Sequence, residues 1–221
     1  MSARTLYLGN KNYSSWSLRP WLALRHAGVP FDEVIIPLDQ PDTDGRIRAA
    51  SPAGRVPILH DGELVIWVSL AICEYAAELA PAAGLWPDDR AERARARAVS
   101  CEMHSGFAAL RTALNMNIRR PPTVVPRDAA VEADVARIVA LWTECRRRSQ
   151  GAGDFLFGRF TIADAMFAPV VTRFRSYAVP IEGPAAAYAE AMWRLPLLKE
   201  WVAAAVAEPL RIEKYEHAPA R

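Results

Sequence analysis

An α/β amino-terminal half followed by an all-helical carboxyl-terminal half is the architecture this sequence predicts, on three observations. Short β-rich segments at residues 5–9 and 31–37 flank a stretch with Leu18, Trp21, Leu22 and Leu24 at helical spacing, a strand–helix–strand order that points to a parallel pair. Ile58-Leu59 and Leu64-Val65-Ile66 flank Asp61-Gly62, a hairpin signal. Beyond residue 89 every apolar pattern has helical spacing.

The first strand leads into Asn10, Lys11, Asn12, Tyr13, Ser14, Ser15 and Trp16, with the helix starting near Ser17. Pro20 is tolerated because early helix positions need no N–H partner. Gly28 and Pro30 end this helix, and residues 38–50 are polar enough for a loop with a short helix. After the hairpin, Ser69 stands as the cap of a helix carrying Leu70, Ile72, Tyr75 and Leu79. Residues 79–89 hold two prolines and a glycine and read as a linker, giving domains at 1–80 and 90–221. A long helix is expected over 91–114, with Val99, Met103, Phe107, Leu110 and Leu114 as its apolar stripe. Another contains Val131, Val135, Ile138, Leu141, Trp142 and Cys145 and is closed by Gly151 and Gly153. Thr161 and Asp164 form a capping box ahead of an apolar helix over 165–174, and shorter helices are expected over 185–193 and 197–206.

A net charge of +2 argues against a dedicated nucleic-acid binder. The arginines at 90, 93, 95, 97 and 146–148 read as a solvated face paired with Glu92, Glu102 and Glu144. Residues 1–4 run into the first strand without an apolar signal core, and no stretch is long enough to span a membrane. Cys73, Cys101 and Cys145 share no metal spacing and are expected as buried free thiols of a reduced, cytoplasmic protein. No metal site, phosphate loop or Ser-His-Asp order stands out.

Two features carry chemistry. Three serines and a tyrosine sit where a helix begins, and a helix start stabilises an anion. Val56-Pro57 enters a hairpin strand, where a proline cannot donate to the ladder; a cis bond would turn the Val56 backbone toward a ligand. Strand, helix, strand, proline, hairpin and helix is the order of a thioredoxin-like half-domain.

The segments SSWSLRPWLAL (14–24), SPAGRVPIL (51–59), SLAICEYAAEL (69–79) and FTIADAMFAPVV (160–171) together resemble the cytosolic glutathione transferases over nearly the whole chain. The serine pair and Arg19 are similar in register to the corresponding segment of the zeta class. The resemblance implies a thioredoxin-like domain that binds glutathione and an all-helical domain that shapes the pocket for a small hydrophobic electrophile. It implies Ser14 as the thiol-contacting residue, with Ser15 and Tyr13 as rivals. Arg19, Val56, Pro57, Val68 and Ser69 would bind glutathione, Val56 through its backbone and Ser69 at the γ-glutamyl carboxylate. The family commonly has Glu, Gln or Asp where this chain has Val68, and losing that charge-assisted bond weakens binding by about 1.5–3 kcal/mol unless a neighbour compensates.

His104 and Arg111 are seven residues apart, on one face of the expected long helix, and would border the electrophile pocket with Asn115; Asn117 and Arg119 extend that face. The implied activity is conjugation of the glutathione thiolate to an electrophilic carbon, without metal or further cofactor, in a homodimer. Two alternatives stay open: a glutathione-dependent isomerase of the maleylacetoacetate type, and a non-catalytic binding relative, which Val68 favours.

Overall fold

Leu6 and Leu8 of the first strand are wholly buried, and the sheet is built around them. The computed structural model describes residues 4–149 and 152–216. Strands β1 (Arg4–Leu8), β2 (Asp32–Ile35), β3 (Ile58–Asp61) and β4 (Leu64–Trp67) form one sheet in the order β2-β1-β3-β4. β1 pairs parallel with β2 (Leu6 opposite Glu33) and antiparallel with β3 (Leu6 opposite Leu59), and β3 and β4 are the expected hairpin around Gly62. Helix α1 (Ser15–His26) connects β1 to β2, and α2 (Thr43–Ala50) follows. The Val56–Pro57 bond is cis, as expected. This is the thioredoxin-like half. Ser69 is not the cap of α3 (Ser69–Leu79) but its first residue; Val68 is the cap, at φ +72°. That left-handed conformation is strained for a β-branched side chain.

The linker is packed rather than loose. Leu85 and Trp86 are buried, Ile162 N donates to Leu85 O at 2.9 Å, and Arg159 donates to the Gly84 and Trp86 carbonyls.

The helical half contains α4 (Arg90–Ser105), α5 (Ala108–Ala113), α6 (Ala129–Arg148), α7 (Ile162–Ser176), α8 (Gly183–Arg194), α9 (Pro196–Ala207) and a last turn α10 (Glu213–Glu216). The single helix expected over 91–114 is therefore two. The chain breaks at Gly106 and at Phe107, which has φ +59°. A Cβ on Gly106 would lie 2.8 Å from Glu102 O, so only glycine lets the chain turn this closely. The apolar stripe survives the break: Val99, Met103, Phe107, Leu110 and Leu114 are all buried. Residues 155–159 add two isolated β-bridges to a half expected to be wholly helical. Gly151, expected to close α6, lies outside the described residues, as do the ends of both expected domains at 1–3 and 217–221.

Helix α7 is the pillar of the molecule, buried along almost its whole length. Its start is held by Asp164, which accepts from Thr161 N at 2.7 Å, Thr161 Oγ1 at 2.9 Å and Leu156 N at 3.0 Å, the expected box with one further donor. α1 packs against both α3 and α7, so a continuous core runs from Leu6 to Trp201 across both halves. Two of the surface arginines pair as expected, Arg95 with Glu92 and Glu144 and Arg148 with Glu92, whereas Glu102 pairs with Arg137, outside the expected set. Cys73 and Cys145 are buried free thiols; Cys101, also free, is exposed, because it lies off the buried stripe of α4.

Candidate functional site

The serine turn is shaped by backbone bonds before any side chain acts. Asn10 O accepts from Tyr13 N at 3.1 Å and Ser14 N at 2.8 Å, folding the chain tightly between β1 and α1. Gly9 lets the turn pack closely here: a Cβ would come within 2.7 Å of Leu38 Cδ1 and 3.1 Å of Ser14 Cβ. Ser14 caps α1: its Oγ accepts from Ser17 N at 3.3 Å and lies 2.7 Å from Ser17 Oγ. Ser17 Oγ also accepts from Gly9 N at 3.0 Å, so the two hydroxyls form a buried pair at the helix start. Ser15 Oγ accepts from Arg173 Nη2 at 3.3 Å. The Tyr13 hydroxyl faces the other way. It accepts from Arg119 Nη2 at 2.8 Å and donates to Glu216 Oε1, which ties it to the carboxyl-terminal segment.

Two cavities flank this turn and share Trp16, Val56 and Arg111. The larger, about 650 Å³, lies between the cis-proline hairpin and α3 and is lined also by Pro57, Trp67, Val68, Ser69 and His104. Ser69 Oγ is buried and has no hydrogen-bond partner among the described residues. It sits in the first turn of α3, where N–H groups lacking intrahelical partners favour an anion. The smaller, about 260 Å³, is lined by Tyr13, Ser14, Ser15, Asn115, Met116, Arg173 and Tyr215 besides the shared residues.

The residues expected at the site divide accordingly. Val56, Pro57, Val68, Ser69 and His104 meet in the larger cavity, Ser14, Ser15, Tyr13 and Asn115 in the smaller, and Arg111 borders both. His104 and Arg111 come together despite the helix break, because Arg111 Nη1 folds back to the His104 carbonyl at 3.0 Å. Burial, with Arg19 and Arg111 nearby, holds the His104 imidazole below its ordinary pKa and hence neutral at pH 7. Arg19 lines neither cavity. It is buried in the seam, donating from Nε to Met166 O at 3.1 Å, with its guanidinium 4.4 Å from the Trp16 ring, so it supports the turn from behind. Asn117 and Arg119 hold the segment after α9, through Tyr215 O and Leu210 O, rather than extending a pocket face.

Sequence reading gave no site role to Arg173, Trp16 and Tyr215, and took Ser17 only as one of the three serines of the turn. Arg173 had a visible signal, a charged residue inside the apolar helical segment over 165–174. Burial, then the nearby Arg111, lowers its pKa to about 10, and the same causes with Arg173 itself lower that of Arg19. Among the described residues no group of His, Cys, Asp and Glu could hold a metal ion, and no helix is long and apolar enough to cross a membrane.

The fold and the site together define a two-domain protein whose thioredoxin-like half meets a helical half at a serine turn with two adjoining cavities. Residues 13–79 match the family described as Glutathione S-transferase, N-terminal domain, and residues 128–204 match Glutathione S-transferase, C-terminal domain. The chain belongs to the glutathione S-transferase family. Over 106 residues, 48% of each chain, it is 36% identical to a probable maleylacetoacetate isomerase of Caenorhabditis elegans, so the match spans about half the length of that relative. It is 25% identical to glutathione S-transferase GstB of Escherichia coli over 167 residues, 74% of this chain and 80% of the other. A glutathione transferase homologue from Burkholderia, solved with bound glutathione, has the same fold at a TM-score of 0.69 and 24% identity, covering 94% of this chain and all of the other.

Proposed function

We propose that this protein is a glutathione transferase, binding glutathione in the larger cavity and joining its thiolate to an electrophilic carbon at the serine turn. The observation that carries the reading is the buried, unpartnered Ser69 hydroxyl at the start of α3, in a cavity that shares Val56 with the turn. A γ-glutamyl carboxylate would satisfy that hydroxyl, and the backbone of Val56 beside its cis bond would pair with the cysteinyl part. The sulfur then lies at Ser14. Hydroxyl protons rotate to suit their surroundings. Ser14 turns its proton to the sulfur while Ser17, still held by Gly9 N, donates to Ser14. This donor and the start of α1 both favour the thiolate. The thiolate attacks the electrophilic carbon, a C–S bond forms, and the leaving group departs with the bonding pair.

The isomerase reading is favoured by the partial likeness to the worm protein. There the thiolate would add to a double bond and leave again, regenerating glutathione. The non-catalytic reading rests on Val68, which offers no polar group beside Ser69. Isothermal titration with glutathione, followed by rate assays on halide and maleyl substrates, separates the three. Saturable binding with conjugate formation supports the transferase, turnover without glutathione consumption supports the isomerase, and no heat at millimolar glutathione leaves the partner role. We propose also a homodimer, supported by exposed Leu64, Trp67 and Val68 at the edge strand β4, and a cytoplasmic location, supported by three unpaired cysteines.

A further inference from the structure

We propose that the smaller cavity seats a carboxylate carried by the second substrate, so that the electrophile is an anion rather than a purely hydrophobic molecule. The inference rests on the glutathione reading above and specifies its second substrate. Three guanidinium groups, Arg19, Arg111 and Arg173, cluster around Trp16 and the serine turn. None forms an ion pair among the described residues. Their hydrogen bonds go to neutral acceptors: Arg173 to the Leu114 and Pro169 carbonyls and Ser15 Oγ, Arg111 to the Met103, His104 and Gly106 carbonyls, and Arg19 to the Met166 carbonyl. Arg19 Nη1 is buried without a partner, and the carbonyls that serve the other N–H groups leave like charges facing one another, whereas buried charges ordinarily have counter-ions.

A second observation points to the same place. Asn115 Oδ1 accepts from the Tyr177 hydroxyl at 2.8 Å, which leaves the amide Nδ2 as a buried donor without a partner. Asn115, Arg111 and Arg173 all line the smaller cavity, and no Asp or Glu does. A carboxylate placed there meets two guanidinium groups and an amide, a set of donors with no competing acid. Trp16, with Arg111 4.4 Å from its ring, adds a flat wall that suits a planar, conjugated acid. Glutathione does not itself answer for these donors in this arrangement: its γ-glutamyl carboxylate goes to Ser69 and its glycyl carboxylate has Arg55, both lining the larger cavity, so the donors beside Ser14 in the smaller cavity are left for the second substrate.

The test compares 4-chloro-3-nitrobenzoate with 1-chloro-2,4-dinitrobenzene. In each the thiolate attacks the chlorinated carbon, a C–S bond forms, and chloride leaves with the C–Cl pair. The kcat/KM of each is divided by its uncatalysed rate with glutathione, and the anion-to-neutral ratio is taken. The wild-type ratio is expected to exceed one by about tenfold. Arg111→Gln is expected to lower it by about tenfold, and Asn115→Leu by severalfold, in the KM for the benzoate. Asn115→Leu keeps all three charges and provides the readout if Arg111→Gln does not fold. A wild-type ratio near one, or a ratio that neither folded variant lowers, overturns the proposal. Calorimetric titration with glutathione alone accompanies each kinetic series. Failure of the wild type to bind glutathione removes both readings, whereas normal glutathione binding with a flat ratio removes only this one.

Discussion

Arg173 Nη2 donates to Ser15 Oγ at 3.3 Å, so the central helix of the helical half reaches the serine turn of the sheet half. The same guanidinium donates from Nε to Leu114 O at 2.7 Å. Truncation to Arg173→Met would leave the Leu114 carbonyl buried without this donor, and unfolding in urea should show a loss of about 1–3 kcal/mol. Arg173→Lys should recover little of it, because a point-like ammonium cannot serve acceptors lying in different directions. Unchanged midpoints for both variants would deny the residue a part in joining the halves.

Ser14→Ala should raise the pKa of bound glutathione and slow conjugation at neutral pH, with little change in glutathione affinity. Losing a preorganised donor to an anion commonly costs on the order of 10²–10³ in rate, and the lower end is expected because the start of α1 remains. Ser17→Ala should produce a smaller shift in the same direction, since it acts through Ser14. The pH–rate profiles of these variants beside Ser15→Ala and Tyr13→Phe provide the measurement. A wild-type profile for Ser14→Ala with a displaced profile for Ser15→Ala would move the donor role one residue along.

Ser69→Ala should separate stability from binding. The free protein has a buried hydroxyl with no partner, so removing it should leave the unfolding free energy unchanged or raise it by up to about 1 kcal/mol. Glutathione affinity should fall by roughly tenfold or more, the cost of one hydrogen bond to a charged group. Calorimetric titration and thermal unfolding on one preparation check both. A destabilised variant with normal affinity would contradict the assignment.

Asp164 should make stability fall as pH rises from about 4 to about 6. Burial pushes its carboxyl up to about 6, against the pull of hydrogen bonds from Leu156 and Thr161. The unfolded value is about 3.9. Within that window the folded chain holds a proton that the unfolded chain has lost, so raising the pH favours unfolding, by on the order of 2–3 kcal/mol in all, and the trend ends above the folded value. Asp164→Asn should abolish this contribution to the slope while lowering stability at every pH. Urea denaturation across pH 4–8 tests it, and equal slopes for the two proteins would contradict it.

The β4 edge should govern assembly. Leu64 and Trp67 are about half exposed beside Val68, and an exposed apolar edge strand offers unpaired backbone groups for a second copy to join. Sedimentation at micromolar concentration should give a dimer, and Leu64→Arg should shift it toward 24.4 kDa. A wild-type protein that sediments only at that mass would contradict the pairing.

Local chemistry by itself determined the order of elements and the position of the serine turn. Ile58-Leu59 and Leu64-Val65-Ile66 flank Asp61-Gly62, Leu18 to Leu24 repeat at helical spacing, and the Thr161–Asp164 box lies within four residues, so each signal acts over a distance that sequence spacing measures. Tertiary structure alone decided the break at Gly106, because Phe107 and Leu110 keep their buried positions only if the chain turns, and periodicity cannot distinguish a straight stripe from a bent one. It also decided which polar residues meet. Ser15 and Arg173 are 158 positions apart, and Arg19, which the family resemblance assigned to the ligand, is turned into the seam. A guanidinium's role depends on which groups surround it in space, and only packing the two halves around α7 brings those groups together.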